Sequence, residues 1–300
     1  MGRQDRLRAA VVCLRGAVRF NAPLKEYTSF RIGGPADVLV EPADMEDLVC
    51  LVTQARAQKL PIFVLGGTNL LVRDKGIRGV VVSLAKLHAI KEEPGSVLYA
   101  EGGVGMPTLI GYAIRRSLAG LEWAAGIPGT VAGCVVMNAG TKLGEMKDSV
   151  KAVRIVTPTG ALIDCPARGI VFSYRRAKLP AGIVAGVWLQ LTPGVRSDIE
   201  KVVKGYLRYR RDTQPLTLPS AGCVFKNPPN DSAGRLVEAA GLKGVHVGDA
   251  EVSDKHANFI VNRGNASAKD VLGLIRKVRG QVARKTGVKL ELELKLVGQG

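Results

Sequence analysis

The sequence predicts a mixed protein of α/β and α+β class, divided into two or three domains. Three observations carry this. The chain has 300 residues, more than one compact core usually organises. Runs with the 3.6-residue helical period alternate with short β-rich runs for most of its length. It closes on a strand-like alternation, with Leu290, Leu292, Leu294 and Leu296 on one face and Glu291, Glu293 and Lys295 on the other.

In chain order, Asp44 suits the N-cap of a helix whose apolar positions Met45, Leu48, Val49, Val52 and Ala55 keep the helical period and which stops before Pro61. A strand over Ile62 to Leu65 leads into the turn Gly66-Gly67-Thr68-Asn69, then into β-rich runs at Leu70 to Val72 and Val80 to Leu84. Val97 to Ala100 reads as a strand, and Pro107 fits the first turn of a helix running to about Leu118. Val153 to Val156 and Ala161 to Asp164 flank Thr157-Pro158-Thr159-Gly160 as a hairpin, and Val184 to Leu191 is another strand. Ser197 with Glu200 predicts a capping box, followed by an apolar stripe of Ile199, Val202, Val203, Tyr206 and Leu207. Pro215 closes that helix, which places a domain boundary near Leu207 to Pro215. Beyond it the pattern predicts a short helix from about Ala233 to Ala240 and a longer one after Ser267, with Val271, Ile275, Val278 and Val282 on one face.

The formal net charge is +17, from 43 Lys and Arg against 26 Asp and Glu. A field of that sign attracts polyanions such as nucleic acids, nucleotide cofactors and diphosphate-linked sugars, without choosing among them. The five cysteines, Cys13, Cys50, Cys134, Cys165 and Cys223, are odd in number and widely spaced. They argue against a disulfide framework or a zinc site and for a reducing compartment. The three histidines form no ligand motif, so no metal is expected. The apolar stretch Ala9 to Leu14 is too short for a signal peptide or a membrane span. A cytoplasmic protein without membrane insertion is expected.

Four segments can carry chemistry. Gly66-Gly67-Thr68-Asn69-Leu70 offers backbone N–H groups where the missing Cβ lets a ligand approach; a plain turn is the other reading. The uncharged, glycine-spaced run Gly126 to Gly140 can form a loop entering a helix whose N-terminal amides face a pyrophosphate, or a glycine-rich helix crossing. Neither matches a Rossmann or P-loop fingerprint. Phe172-Ser173-Tyr174-Arg175-Arg176 sets an aromatic ring beside two guanidinium groups, which suits a carboxylate or phosphate but equally an exposed charged turn. Pro219 to Pro228 places Cys223, Lys226 and Asn227 on a short segment with Gly222, readable as a polar loop or as a core strand around Val224-Phe225.

Together these segments resemble one family, UDP-N-acetylenolpyruvoylglucosamine reductase (MurB). The matching pieces are T-S-F-R-I-G-G-P-A-D from Thr28, L-G-G-T-N-L-L-V-R-D from Leu65, G-I-P-G-T-V-A-G from Gly126, Y-R at Tyr174, P-S-A-G-C-V-F-K-N-P from Pro219, K-H-A-N-F-I-V-N from Lys255 and L-E-L-E-L-K-L-V-G from Leu290. They follow the family's order and span nearly the whole chain, which looks like the shorter form of the family.

The resemblance implies a two-lobed FAD-binding module of the PCMH type, residues 1–85 and 86–207, and a C-terminal α+β substrate-binding domain over 208–300. It implies that NADPH reduces FAD and that hydride then passes to the enolpyruvyl double bond of UDP-N-acetylglucosamine enolpyruvate, giving UDP-N-acetylmuramate for peptidoglycan synthesis. The cofactor would rest on Gly66, Gly67, Thr68, Asn69, Leu70, Gly126, Ile127, Gly129, Thr130, Gly133 and Asn138. Arg175, Cys223 and Glu293 would be catalytic, and Tyr174, Lys226, Asn227 and His256 would contact substrate. The family's proton donor is a serine after the loop glycine; Cys223 stands there instead, and Ser220 is not its equivalent. A thiol with an unperturbed pKa of about 8.5 is roughly 97% protonated at pH 7, so it can donate. The resemblance is expected to extend to a monomer. Two alternatives compete: another FAD oxidoreductase of the same binding type, acting on an alcohol or lactone, and a basic nucleic-acid-binding protein. The second has no recognised motif and few aromatic residues for base stacking, so no nucleic acid is expected.

Overall fold

Two separate hydrophobic cores organise the chain, which is a computed structural model describing residues 2–66 and 68–300. The first unit comprises Met1–Phe20, Val38–Gly67 and Gly79–Tyr209; the second comprises Asn21–Asp37, Thr68–Arg78 and Arg210–Gly300.

In the first unit, helix Met45–Ala57 begins where Asp44 accepts the Asp47 N–H at 3.0 Å, as its sequence predicts. One turn in, the buried Asp47 carboxylate accepts the backbone N–H groups of Ala43, Arg15 and Gly16. Burial pushes its pKa up, but those three bonds and the Arg15 charge outweigh burial and leave it below the usual carboxylate value. A four-stranded sheet runs in the order Ala17–Pro23, Pro35–Glu41, Ile77–Ser83, Ile62–Leu65, the last pair parallel with Ile62 opposite Val80.

An antiparallel five-stranded sheet follows, ordered Leu162–Pro166, Val150–Val156, Ile183–Gln190, Val97–Glu101, Ile90–Glu93. The predicted hairpin around Thr157 to Gly160 is its edge. Two expectations need correction. The helix beginning at Met106 ends at Arg115, not Leu118, because Ser117 adopts a left-handed φ of 55° and Leu118–Ala119 pairs with Thr192–Pro193. The helix Arg196–Thr213 starts ahead of Ser197, so no capping box forms there; Glu200 pairs with Arg196 at 2.8 Å instead. Of its predicted stripe, Ile199 and Val203 are buried, whereas Val202 and Leu207 remain 44% and 46% exposed.

The second unit holds an antiparallel sheet ordered Ser220–Cys223, Phe259–Asn262, Ala250–Val252, His246–Val247. Helix Ala268–Thr286 buries Val271, Leu274, Ile275, Val278 and Val282 against a core that includes Phe30, Leu71, Phe225 and Leu236. Its first turn is held by the Ser267–Asp270 capping box and by the Asp74 carboxylate, which accepts the N–H groups of Ala268 and Lys269. The predicted terminal strand is shorter than its alternation suggests. Only Lys295–Val297 forms a regular ladder, parallel to Leu70–Val72. The preceding residues instead follow the Val224–Lys226 segment irregularly, with Glu293 N–H and Leu294 N–H both donating to the Val224 carbonyl. Leu290 and Leu294 are still buried, so the face was read correctly and the ladder was not.

Candidate active site

In the first unit, the two glycine-bearing segments meet although they lie 64 residues apart. Thr130 donates through both its N–H (3.3 Å) and its hydroxyl (3.0 Å) to the Gly66 carbonyl. The same hydroxyl accepts the Gly133 N–H at 3.2 Å and so caps helix Val131–Val136. A Cβ on Gly66 would come within 3.2 Å of that hydroxyl, a tight contact that glycine avoids. The expectation that this helix offers free N-terminal amides is not met: Val131 N–H bonds to Val104, Ala132 N–H to Gly102 and Gly133 N–H to Thr130. The helix start is packed into its own unit, which satisfies those donors locally. The unpartnered amides lie just upstream. Among the described residues, the N–H groups of Gly66, Gly126 and Gly129 have no partner, and Gly126 and Gly129 have φ of 75° and 106°. Ile127, by contrast, is partly buried and gives its N–H to Ala124. Unpaired amides without a Cβ suit the phosphates of a dinucleotide, so this donor set fits FAD. Gly67 lies outside the described residues.

Tyr174 and Arg175 form the tip of a hairpin in which Val171–Ser173 pairs with Arg176–Lys178. Arg175 has a left-handed φ of 58°, and its guanidinium lies 5.0 Å from the centre of the Tyr174 ring, which is 50% exposed. Asn138 is completely buried. Its amide nitrogen donates to Glu145 Oε2 and to the Ser173 carbonyl, and its oxygen accepts the Lys147 N–H. The side chain is therefore spent inside the unit.

In the second unit, the strand Ser220–Cys223 bulges: Ser220 faces Val261 and Cys223 faces Phe259, one residue more on the first strand than on the second. Gly222, at a φ of 73°, supplies the conformation. The extra residue breaks alternation, so Ala221 and Val224 are both buried while Cys223 between them is turned out to half-burial. Glu293 is brought to this loop through its backbone, donating to the Val224 carbonyl at 2.9 Å. Asn69 reaches the same place: its amide donates to the Glu293 carbonyl at 3.2 Å, and its own carbonyl accepts the Lys295 N–H. Leu70 is buried and pairs with Lys295, and the Thr68 carbonyl accepts from Ser29. The turn and the terminal segment, 224 residues apart, thus form one structure.

The remaining predicted contacts lie around this loop. Lys226 points its ammonium toward Glu291 at 3.5 Å. Asn227 accepts the Ala233 N–H at the start of helix Ala233–Ala239. His256 stacks on Phe259 with ring centres 4.8 Å apart and accepts the Asn258 N–H; burial first, then the Lys243 charge, holds its pKa below the usual histidine value.

Sequence reading missed two residues here. Asn258 is buried, and its side chain accepts the Phe225 N–H at 2.9 Å and donates to the Phe225 carbonyl at 2.8 Å, clamping the residue two beyond Cys223. The signal was a polar residue inside the apolar run Ala257 to Val261. Arg210 is half-buried with its Nε unpartnered among the described residues. Burial lowers its pKa, and a favourable interaction with the Cys223 thiol partly offsets this. Arg210 is thus a cation within electrostatic reach of that thiol.

Comparison with known proteins places these features in one lineage. Residues 36–166 match the FAD binding domain family, and residues 214–297 match the C-terminal domain of UDP-N-acetylenolpyruvoylglucosamine reductase. The chain is 48% identical over 298 residues to UDP-N-acetylenolpyruvoylglucosamine reductase 2 of Symbiobacterium thermophilum, covering 98% of this chain and 96% of that one. It is 46% identical over 289 residues to the reductase of Moorella thermoacetica, covering 96% and 95%. The crystal structure of the Thermus caldophilus enzyme superposes with a TM-score of 0.81 at 39% identity, over 94% of this chain and 99% of that one. The chain therefore belongs to the UDP-N-acetylenolpyruvoylglucosamine reductase family.

Proposed function

We propose that this protein reduces the enolpyruvyl double bond of UDP-N-acetylglucosamine enolpyruvate to UDP-N-acetylmuramate, a step in peptidoglycan precursor synthesis, with FAD as its bound cofactor and NADPH as reductant. Family membership over nearly the full chain supports the reaction. The observation that carries the assignment of residues is the backbone bond from Glu293 to Val224, which sets a carboxyl-bearing segment beside the bulged Cys223 loop.

When bound, FAD supplies hydride transfer; the protein supplies binding, orientation and electrostatics. The amides of Gly66, Gly126 and Gly129 would hold its phosphates, and Thr130, next to Gly129, ties that loop to the Gly66 carbonyl. Hydride arriving at C3 of the enolpyruvyl group leaves negative charge that spreads into the substrate carboxylate. Arg175 meets that charge as a planar, permanently cationic donor. Cys223 delivers its proton to C2, and Glu293 assists at the carboxylate either protonated or by orienting a donor. The bulge at Gly222 supports this role for Cys223, because without it the side chain would share the buried face of Ala221. Tyr174, Lys226, Asn227 and His256 line up the sugar nucleotide. In this reading residues 1–85 and 86–207 are the FAD lobes and 208–300 the substrate domain, working as a monomer in the cytoplasm; among the described residues, no helix is long and apolar enough to cross a membrane.

The test is anaerobic. Flavin-loaded protein is reduced with NADPH, then mixed with UDP-N-acetylglucosamine enolpyruvate while flavin absorbance is followed. Substrate-dependent reoxidation is expected, and its absence refutes the function. Cys223→Ala should keep the first half-reaction and lose most of the second, whereas Cys223→Ser keeps both; reoxidation of the alanine variant at the parent rate would remove the proton-donor role.

A further inference from the structure

We propose that Asn138, supported by Glu145, is a positioning residue for the second half-reaction: its buried amide clamps the Ser173 carbonyl and thereby fixes the Tyr174-Arg175 tip from which the guanidinium meets the substrate. The proposal rests on the role given to Arg175 above.

Taken alone, the hairpin cannot hold that tip. It has three paired positions, Val171 with Lys178, Phe172 with Ala177 and Ser173 with Arg176, and an isolated two-stranded ribbon is marginal in water. Only Phe172 and Ala177 pack against the core of the unit. The tip also carries strain, because Arg175 sits at a φ of 58° where a side chain is disfavoured. Such a conformation persists when its surroundings over-determine it.

Asn138 supplies one such constraint, on the Ser173 carbonyl, from 35 residues away. It follows helix Val131–Val136 at a left-handed φ of 41°, a conformation asparagine tolerates better than most residues. From there both amide hydrogens are used, one on Glu145 Oε2 at 2.7 Å and one on the Ser173 carbonyl at 3.1 Å, while Oδ1 accepts the Lys147 N–H at 3.1 Å. The side chain is wholly inaccessible, so no water replaces these bonds. Glu145 keeps the amide in the orientation that aims a donor at Ser173, and its other oxygen is held by the Lys147 ammonium. The arrangement selects asparagine. Aspartate has nearly the same shape but would oppose the Glu145 carboxylate and the Ser173 carbonyl with oxygen.

Flavin-loaded Asn138→Asp, Glu145→Ala and Arg175→Lys are compared with the parent in the two anaerobic half-reactions. Reduction by NADPH should stay within about twofold in the first two variants. Reoxidation at saturating UDP-N-acetylglucosamine enolpyruvate should slow about 10- to 100-fold in Asn138→Asp, the penalty typical of a misplaced catalytic group, and by less in Glu145→Ala. The loss should fall on the limiting rate rather than on the substrate concentration needed for half of it. In flavin-free protein, hydrogen exchange across residues 171–178 should rise about tenfold while the five-stranded sheet stays protected. Equal slowing of both half-reactions, or a change in flavin content alone, would show a general structural role and overturn the proposal. If Arg175→Lys slows reoxidation and neither other variant does, the positioning claim fails and the role of Arg175 stands. If Arg175→Lys has no effect, both fail. Should Asn138→Asp not fold, the Glu145→Ala result decides.

Discussion

Replacing Asn258 by alanine should loosen the Cys223 loop more than any single change to the thiol itself. The side chain holds both backbone groups of Phe225, the N–H at 2.9 Å and the carbonyl at 2.8 Å. Asn258 and Phe225 are 3% and 2% exposed, so truncation leaves a donor and an acceptor without water. Each orphaned group costs about 1–3 kcal/mol, which gives about 4 kcal/mol for the pair. At about 1.4 kcal/mol per factor of ten, that is a nearly thousandfold shift in the opening equilibrium. Tryptophan fluorescence is the wrong assay, since Trp123 and Trp188 both belong to the first unit. Hydrogen exchange on peptides covering Val224 to Lys226 reads the second unit directly, and urea unfolding followed by circular dichroism gives the loss of stability of the whole chain. A loss below about 1 kcal/mol would refute the reasoning, because the clamp would then not be satisfying buried groups. Asn258→Asp should be comparably damaging at neutral pH, where a carboxylate faces the Phe225 carbonyl, and should recover partly in acid as the carboxyl gains a proton to donate.

Gly222→Ala should cost about 1–2 kcal/mol through backbone strain alone, because no atom lies within 4 Å of the added Cβ; Gly222→Asn should cost less, and urea unfolding of the pair checks the order. Thr130→Val removes the hydroxyl's bond to the Gly66 carbonyl and the cap on Gly133 while leaving the backbone bond to Gly66, so it should cost about 0.5–2 kcal/mol and weaken FAD retention measured by equilibrium dialysis, whereas Thr130→Ser should keep both hydroxyl bonds. His256 has a folded pKa below its unfolded value of about 6.5, so the unfolded chain binds the extra proton. Its stabilising contribution is therefore complete above pH 6.5 and declines as the pH falls toward the folded pKa. Urea midpoints of the second unit between about pH 6.5 and 5 should fall in the parent and stay flatter in His256→Gln.

Local signals in the sequence reached their targets where the determinants are neighbours in the chain. Asp44 caps its helix, a long helix begins after Ser267, and the turn at Thr157 to Gly160 joins the strands it was read to join. The same reasoning placed Ser197 at an N-cap two residues too late, because Arg196 with Glu200 and the Val195 carbonyl hold the helix start instead. It also drew the terminal strand too long: alternation reports which side is buried, but a ladder requires a partner, and regular pairing begins only where Leu70–Val72 runs alongside.

By itself the sequence determined the family and the mixed class, because those follow from residue type and order. Only the tertiary structure decided how the candidate site residues are held. The Thr130 bond to Gly66, the Asn138 clamp on Ser173 and the Asn258 clamp on Phe225 join residues 64, 35 and 33 positions apart. No local pattern encodes such pairs, since each exists to satisfy a particular backbone group that folding removes from water. The bulge at Gly222 belongs with them: whether Cys223 turns outward depends on its register against Phe259, a property of two strands that neither carries alone.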